Sequence, residues 1–430
     1  MTAVLSGCGG ESGSGDVTLK LVAADYDIAG GSSTKTYWHN VVEDFEKKNP
    51  NIKVDVQIFS WDVVDAKVAE MVKAGNAPDI AQIGAYSDYA SSGKLYSVDQ
   101  LLSIPVEANF LSPLADAGNV KRVQYGMPFV ASTRLLFYNQ TLFEQAHIKP
   151  PTTWAEIASD AKALKAKGVK TPFALPLGSE EAQAETMMWM LSDNGGYTNT
   201  VDGYDIDSPE NIQAFDWLKA NLVEPELTGP VAPGKLNRQD AFDAFAKGEV
   251  GMLNGHPSLM EAAKKKGIKF GMVPLPGQNG QAKAAMGVAD WIMGFKQGGH
   301  RAQIGKFLDF TFSDANVLKF ADQYDLLPST VSASSAMAAD PKHKELKPFL
   351  AALPTSELPP VGKTSWPKVS ETVKKKIGSA VAPGGSPKSV LQDIAKVAMD
   401  AENADRMGVR ESIIGRMQRN GGTARLRSVP

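Results

Sequence analysis

The chain has 430 residues, is 43% apolar, and carries a formal charge of −3 with a single cysteine, Cys8. That length outgrows the roughly 250–300 residues at which single cores stop growing, so two domains are expected. One thiol excludes an intramolecular disulfide and a cysteine-based zinc site, and no apolar run after Cys8 approaches the ~18 residues needed to span a bilayer.

Cys8 closes the sequence Leu5-Ser6-Gly7-Cys8, and a glycine- and serine-rich stretch follows up to Gly15. The tetrapeptide resembles the lipobox of bacterial lipoproteins, in which the thiol is acylated and becomes the mature N-terminus. Only seven residues precede Cys8 and none is basic. Residues 1–15 therefore read as a truncated lipoprotein signal and a flexible tether.

From Val17 to Ala23 apolar residues alternate with period two, which predicts a strand. Residues 36–48 place Trp38, Val41, Val42 and Phe45 on one helical face and stop at Asn49-Pro50. A second strand is expected over 52–58, an amphipathic helix over 63–74 ending at Gly75, and a third strand over 79–84. This β-α-β-α-β succession predicts a parallel sheet covered by helices. The alternation resumes after residue 135. Helices are expected over 154–167, 181–192, 211–222, 238–247, 301–312, 314–323, 368–376 and 389–401, and strands over 172–177 and 250–254. The fold class is α/β, in two lobes, with no tandem repeat.

The charge is unevenly spread. Residues 406–430 hold six arginines, no lysine and one acid, whereas residues 1–405 hold four arginines (Arg122, Arg134, Arg238, Arg301) and all 35 lysines. The tail reads as foreign or disordered; the alternative is a basic arm for an anionic surface.

Four stretches carry a family resemblance. They are Phe45 to Gln57 followed by Ala77-Pro78-Asp79-Ile80; Tyr125 to Phe143 followed by Pro150 to Glu156; Phe245 to Gly255; and Gly287 to Phe295 followed by Lys306 to Phe310. In this order and spacing the chain resembles the extracellular solute-binding proteins, family 1, the maltose-binding-like group of carbohydrate ABC importers, over residues 16–402. The resemblance implies a type II periplasmic-binding-protein fold whose discontinuous lobes are joined by a hinge: 16–130 plus 292–328, and 131–291 plus 329–405. Crossings are expected near 131–136, 286–292 and 327–331. It further implies a monomer that binds a sugar in the interlobe cleft and delivers it to permease subunits. No cofactor, metal or nucleic acid is called for, and the membrane is touched only through the lipid.

A sugar presents C–H faces and hydroxyl rims, so aromatic platforms and planar polar groups are the expected contacts. Loops after the first three strands each pair an aromatic with an acid: Tyr26 and Asp27, Trp61 and Asp62, Tyr86 and Asp88. Ser132, Thr133 and Arg134 lie at the first crossing, where a guanidinium suits paired hydroxyls. Glu185 shares a helical face with Trp189. Asn254 and His256 follow the strand over 250–254, and His256-Pro257 departs from the aromatic that the family commonly has there. Asp290 and Trp291 fall where the family often places a stacking tryptophan, and Trp366 has a family parallel as a late platform. The five histidines show no zinc spacing, Gly362-Lys363-Thr364 lacks the upstream glycine of a phosphate loop, and no G-x-S-x-G elbow occurs. Three alternatives stay open: a non-sugar solute, a sensory receptor without import, and a two-carboxylate glycoside hydrolase.

Overall fold

The computed structural model describes residues 16–26, 32–61 and 63–419, with side chains through Ala404. The expectations placed on Cys8, Asp27 and Asp62 lie outside the described residues.

β1 (Val17–Asp25) runs parallel to β2 (Ile52–Ser60), with Val17 opposite Ile52, and parallel to β3 (Ile80–Ile83) on its other side. The helix between β1 and β2, Ser33–Lys48, buries Tyr37, Trp38, Val41 and Phe45 and ends where the Asn49 N–H bonds the Phe45 carbonyl at 2.9 Å. Lys47 and Lys48 in its last turn complement the negative end of the helix dipole. A two-residue-strand hairpin, β4 (Asn119–Val120) and β5 (Val123–Gln124), precedes β6 (Met127–Thr133).

Only Arg134 separates β6 from β7 (Leu135–Asn139), yet the two strands belong to different sheets. β7 joins β8 (Thr171–Phe173), β9 (Val250–Gly255) and β10 (Phe270–Val273) in a four-stranded sheet of order β10-β7-β9-β8. β11 (Gly287–Gly294) and β12 (Leu327–Pro328) return to the first sheet, of order β12-β6-β11-β3-β1-β2. β11 lies antiparallel to both β3 and β6, so the sheet is mixed where sequence had predicted a parallel one. The reason is connectivity: β11 enters from the second lobe without the crossover helix that forces parallel pairing. Pairing carries the first lobe's sheet to Thr133 and starts its return at Gly287, a few residues outside the expected limits.

Trp38, Phe45, Phe129, Phe307 and Phe320 form the core of the first lobe, and Trp154, Phe173, Trp189 and Phe215 that of the second. A further buried cluster, with Ala131, Leu135, Phe137, Phe349 and Leu353, draws on both sides of the first crossing. Each large apolar side chain so enclosed contributes about 1.5–3 kcal/mol. In the second lobe, the helix Trp154–Ala166 starts at Thr153, whose hydroxyl accepts the Glu156 N–H at 3.2 Å. The helix expected over 389–401 runs Pro387–Arg419 and enters the arginine-rich segment. No described helix is long and apolar enough to cross a membrane.

Candidate functional site

In the first lobe, β1, β2 and β3 deliver their C-terminal ends to one edge, the usual ligand-binding edge of an α/β sheet. Tyr26 follows β1, and its backbone N–H is fixed by the Thr34 hydroxyl at 3.0 Å. Gln82 of β3 is fully buried, accepts the Ala24 N–H at 3.0 Å and donates its amide to the Tyr26 hydroxyl at 3.0 Å. The Tyr26 hydroxyl in turn donates to Asp290 at 2.7 Å. Trp61 follows β2 and sets its ring edge-on to Tyr26 with centroids 5.4 Å apart; both rings are half-buried. Asp65 accepts the Gly84 and Ala85 N–H groups at 3.1 and 3.2 Å, which fixes the loop after β3. Burial pushes the Asp290 carboxyl up to about 6, against the lowering effect of the Tyr26 hydrogen bond and of Arg134; nearby Asp65 adds to the rise. Burial also raises Tyr26 well above its ordinary value, so it stays a donor.

The second lobe faces this group with a ladder of charges. Arg134 donates to the Ser132 hydroxyl at 3.0 Å and to Glu181 at 2.9 Å. The other Glu181 oxygen lies 2.6 Å from Arg238 Nε, and Arg238 donates to Glu180 at 2.5 Å. One floor below, Glu185 accepts from Trp189 Nε1 at 2.7 Å and from Asn254 at 2.9 Å. Burial pushes Glu185 up to about 7 although both hydrogen bonds lower it. The Asn254 side-chain oxygen is buried and has no partner among the described residues. His256 packs on Phe242 with centroids 5.0 Å apart and lies between Ser258 at 2.9 Å and Arg238 at 3.4 Å. Burial, then the charges of Arg134 and Arg238, hold its imidazole well below the ordinary range, so it is neutral. The Arg134 charge lowers Asp290, Glu185 and His256 alike, against burial at the two acids and together with burial at the imidazole.

Not every expected contact belongs to these two groups. Thr133 points the other way along its strand and donates to the Phe349 carbonyl at 3.1 Å. Trp291 is 1% exposed and packs on Tyr86 at 5.0 Å, so the expected platform is a core side chain in this structure. Tyr86 is buried too, with its hydroxyl donated to the Ala117 carbonyl. Both rings sit over Gly126, where a Cβ would come within 2.9 Å of Trp291 and 3.0 Å of Tyr86. Trp366 is buried edge-on to Tyr197 at 4.8 Å. Asp88 is exposed and lines a separate cavity of about 1580 Å³ between the lobes.

Sequence reasoning passed over Gln82, Asp65, Glu180, Glu181 and Arg238 as site residues. Gln82 could have been found as the one polar residue inside an otherwise apolar strand, and Arg238 as one of four arginines before the tail. Among the described residues, no group of three or more His, Cys, Asp or Glu side chains is placed to hold a metal ion.

The chain matches the family model for bacterial extracellular solute-binding proteins over residues 30–317. A Brucella abortus (strain 2308) protein named only as a binding protein is 26% identical over 387 residues, covering 88% of this chain and 92% of that one. The multiple sugar-binding protein of Streptococcus mutans is 24% identical over 333 residues, covering 72% of this chain and 74% of its own. The solved structure of the sugar-binding protein MalE from Xanthomonas citri superposes with a TM-score of 0.74 at 20% identity, over 92% of this chain and 99% of that one. The two-lobed α/β fold is that of these binding proteins, and the chain belongs to the bacterial extracellular solute-binding protein family.

Proposed function

We propose that the protein captures a carbohydrate between its lobes and hands it to the permease of an ABC importer. The observation that supports this reading is a pair of polar-aromatic clusters at the strand ends: half-buried Tyr26 and Trp61 with Asp290, and Arg134 with Ser132, Glu181 and, through Glu181, Arg238. Aromatic faces suit the C–H side of a sugar ring, and planar charged groups suit adjacent hydroxyls. The charge balance refines the ligand. Glu180 and Glu181 neutralise Arg134 and Arg238 in direct pairs, so the ladder offers no excess positive charge to a phosphate. An uncharged polyol fits it better.

Binding drives closure to the extent that the ligand contacts both lobes in the closed state and one in the open state. The protein works as a monomer and does no chemistry on the sugar. Cys8 is the proposed acylation site that keeps it outside the cytoplasmic membrane, near its permease. A thermal-shift panel of mono- and oligosaccharides, with a sugar phosphate as the charged comparison, tests the reading. A cognate ligand at 100 times its dissociation constant adds about 2.7 kcal/mol of stability. Stabilisation by the phosphate alone would overturn the uncharged-ligand claim, and sugar turnover would overturn the binder.

A further inference from the structure

We propose that two rigid turns, Lys121–Arg122 on the first lobe and Val201–Asp202 on the second, form a clasp that holds the lobes shut. The proposal rests on the reading that a solute is bound between the lobes. Both turns line the interlobe cavity of about 1580 Å³, away from the Arg134 ladder.

Backbone conformation marks them first. Lys121 and Arg122 have φ of 52° and 67°, and Asp202 has φ of 63°. These three are among only seven non-glycine residues with left-handed φ among the described residues, and they meet on one cavity. A two-residue hairpin turn with both φ positive normally selects asparagine and glycine, so lysine and arginine there hold a conformation their side chains disfavour. Such strain persists where the surroundings over-determine it, and ligand clamps are one such setting. The opposing turn is equally fixed. The Asn199 side-chain oxygen accepts the Val201 and Gly203 N–H groups at 3.1 and 2.9 Å, and the Asp202 N–H bonds the Asn199 carbonyl at 3.0 Å.

Charge and apolar surface are complementary across the gap. Lys121 and Arg122 are exposed and have no ion-pair partner among the described residues. On the second lobe Asp202 and Glu402 share one cation, Lys363, at 3.3 and 3.0 Å, so among the described side chains of this ion-pair group two carboxylates meet one ammonium. Val201 is 83% exposed at its tip, and Val123 beside Arg122 is 40% exposed. Asp88 and Asp116, on the first lobe's own wall of the cavity, are the competing acids for the two cations.

The test is a charge-swap cycle that needs no sugar. Dyes are placed on Lys53→Cys and Lys170→Cys, one per lobe, in a Cys8→Ser background, and interlobe energy transfer reports the closed-to-open ratio at low salt. Arg122→Asp and Asp202→Arg are each expected to lower that ratio about two- to five-fold, and the double swap to restore it. An Arg122→Cys/Asp202→Cys pair is expected to form a disulfide under mild oxidation, since the clasp brings the two Cα atoms to within about 7 Å. Single reversals that the swap does not rescue, or no effect together with no disulfide, would overturn the clasp. If the cycle closes as expected while no sugar binds, the clasp stands and the carbohydrate reading fails; if a sugar binds while the cycle shows no coupling, the reverse holds.

Discussion

At Arg134 a single guanidinium bonds Ser132 and Glu181, and its charge acts on three groups whose protonation is shifted. Arg134→Met keeps the bulk but leaves Glu181 with Arg238 alone. A loss of about 1.5–3 kcal/mol in urea unfolding is expected, together with weakened sugar binding. Glu185 gives the molecule a pH dependence. Its folded pKa, about 7, lies above the usual 4.5, so between those values the folded state holds a proton that the unfolded state has released. Stability is therefore greatest below pH 4.5 as far as this group is concerned, and it falls as pH rises towards 7, by on the order of 3 kcal/mol in all. Asp290, raised from 3.8 to about 6, adds a loss of the same sign at lower pH. Chemical unfolding at stepped pH checks this: Glu185→Gln should flatten the decline between pH 5 and 7. A third expectation concerns Trp61, half-buried beside Tyr26; the other half-buried tryptophan, Trp217, packs on Trp154 and Trp189 in the second lobe, and the remaining five are buried. The fluorescence change on sugar binding should disappear in Trp61→Phe.

At the scale of elements, Gly126 fixes how β6 approaches the Tyr86–Trp291 pair. Gly126→Ala puts a Cβ within 3.0 Å of both rings and should cost about 1–3 kcal/mol by overpacking, measured as a shift of the denaturation midpoint. The same neighbourhood shows what a sequence can and cannot reveal. β1, β2, β3 and their helices were legible because period-two and period-3.6 patterns state which face is buried. The antiparallel entry of β11 was not, since its partners β3 and β6 are set by a route through the other lobe. Arg134, Asn254 and Asp290 were singled out by their positions at strand ends and crossings, and the structure gives each a polar side-chain partner. Trp291, Trp366 and Tyr86 were expected in the cleft and are core, because an aromatic side chain serves either role and only its neighbours decide which.

At the scale of the molecule, the cluster around Phe137 and Phe349 draws on both sides of the first crossing. The lobes should therefore melt together, and a cognate sugar should move one calorimetric transition rather than split it. The strand order has a separate consequence during synthesis. The first lobe's sheet needs β11 between β3 and β6, yet β11 lies more than 150 residues further along the chain than β6. Until Gly294 has been made, β3 and β6 face each other across a missing strand, with their pairing edges open. A ribosome-bound chain thus has no finished first domain to fold early, although that domain starts first. The topology delays compaction of the first lobe until residue 294 of the 430 has been made, and the edge strand β12 is added only at residue 328. Nascent chains stalled before residue 287 should remain sensitive to protease throughout the first lobe, and chains stalled well after residue 328 should resist it.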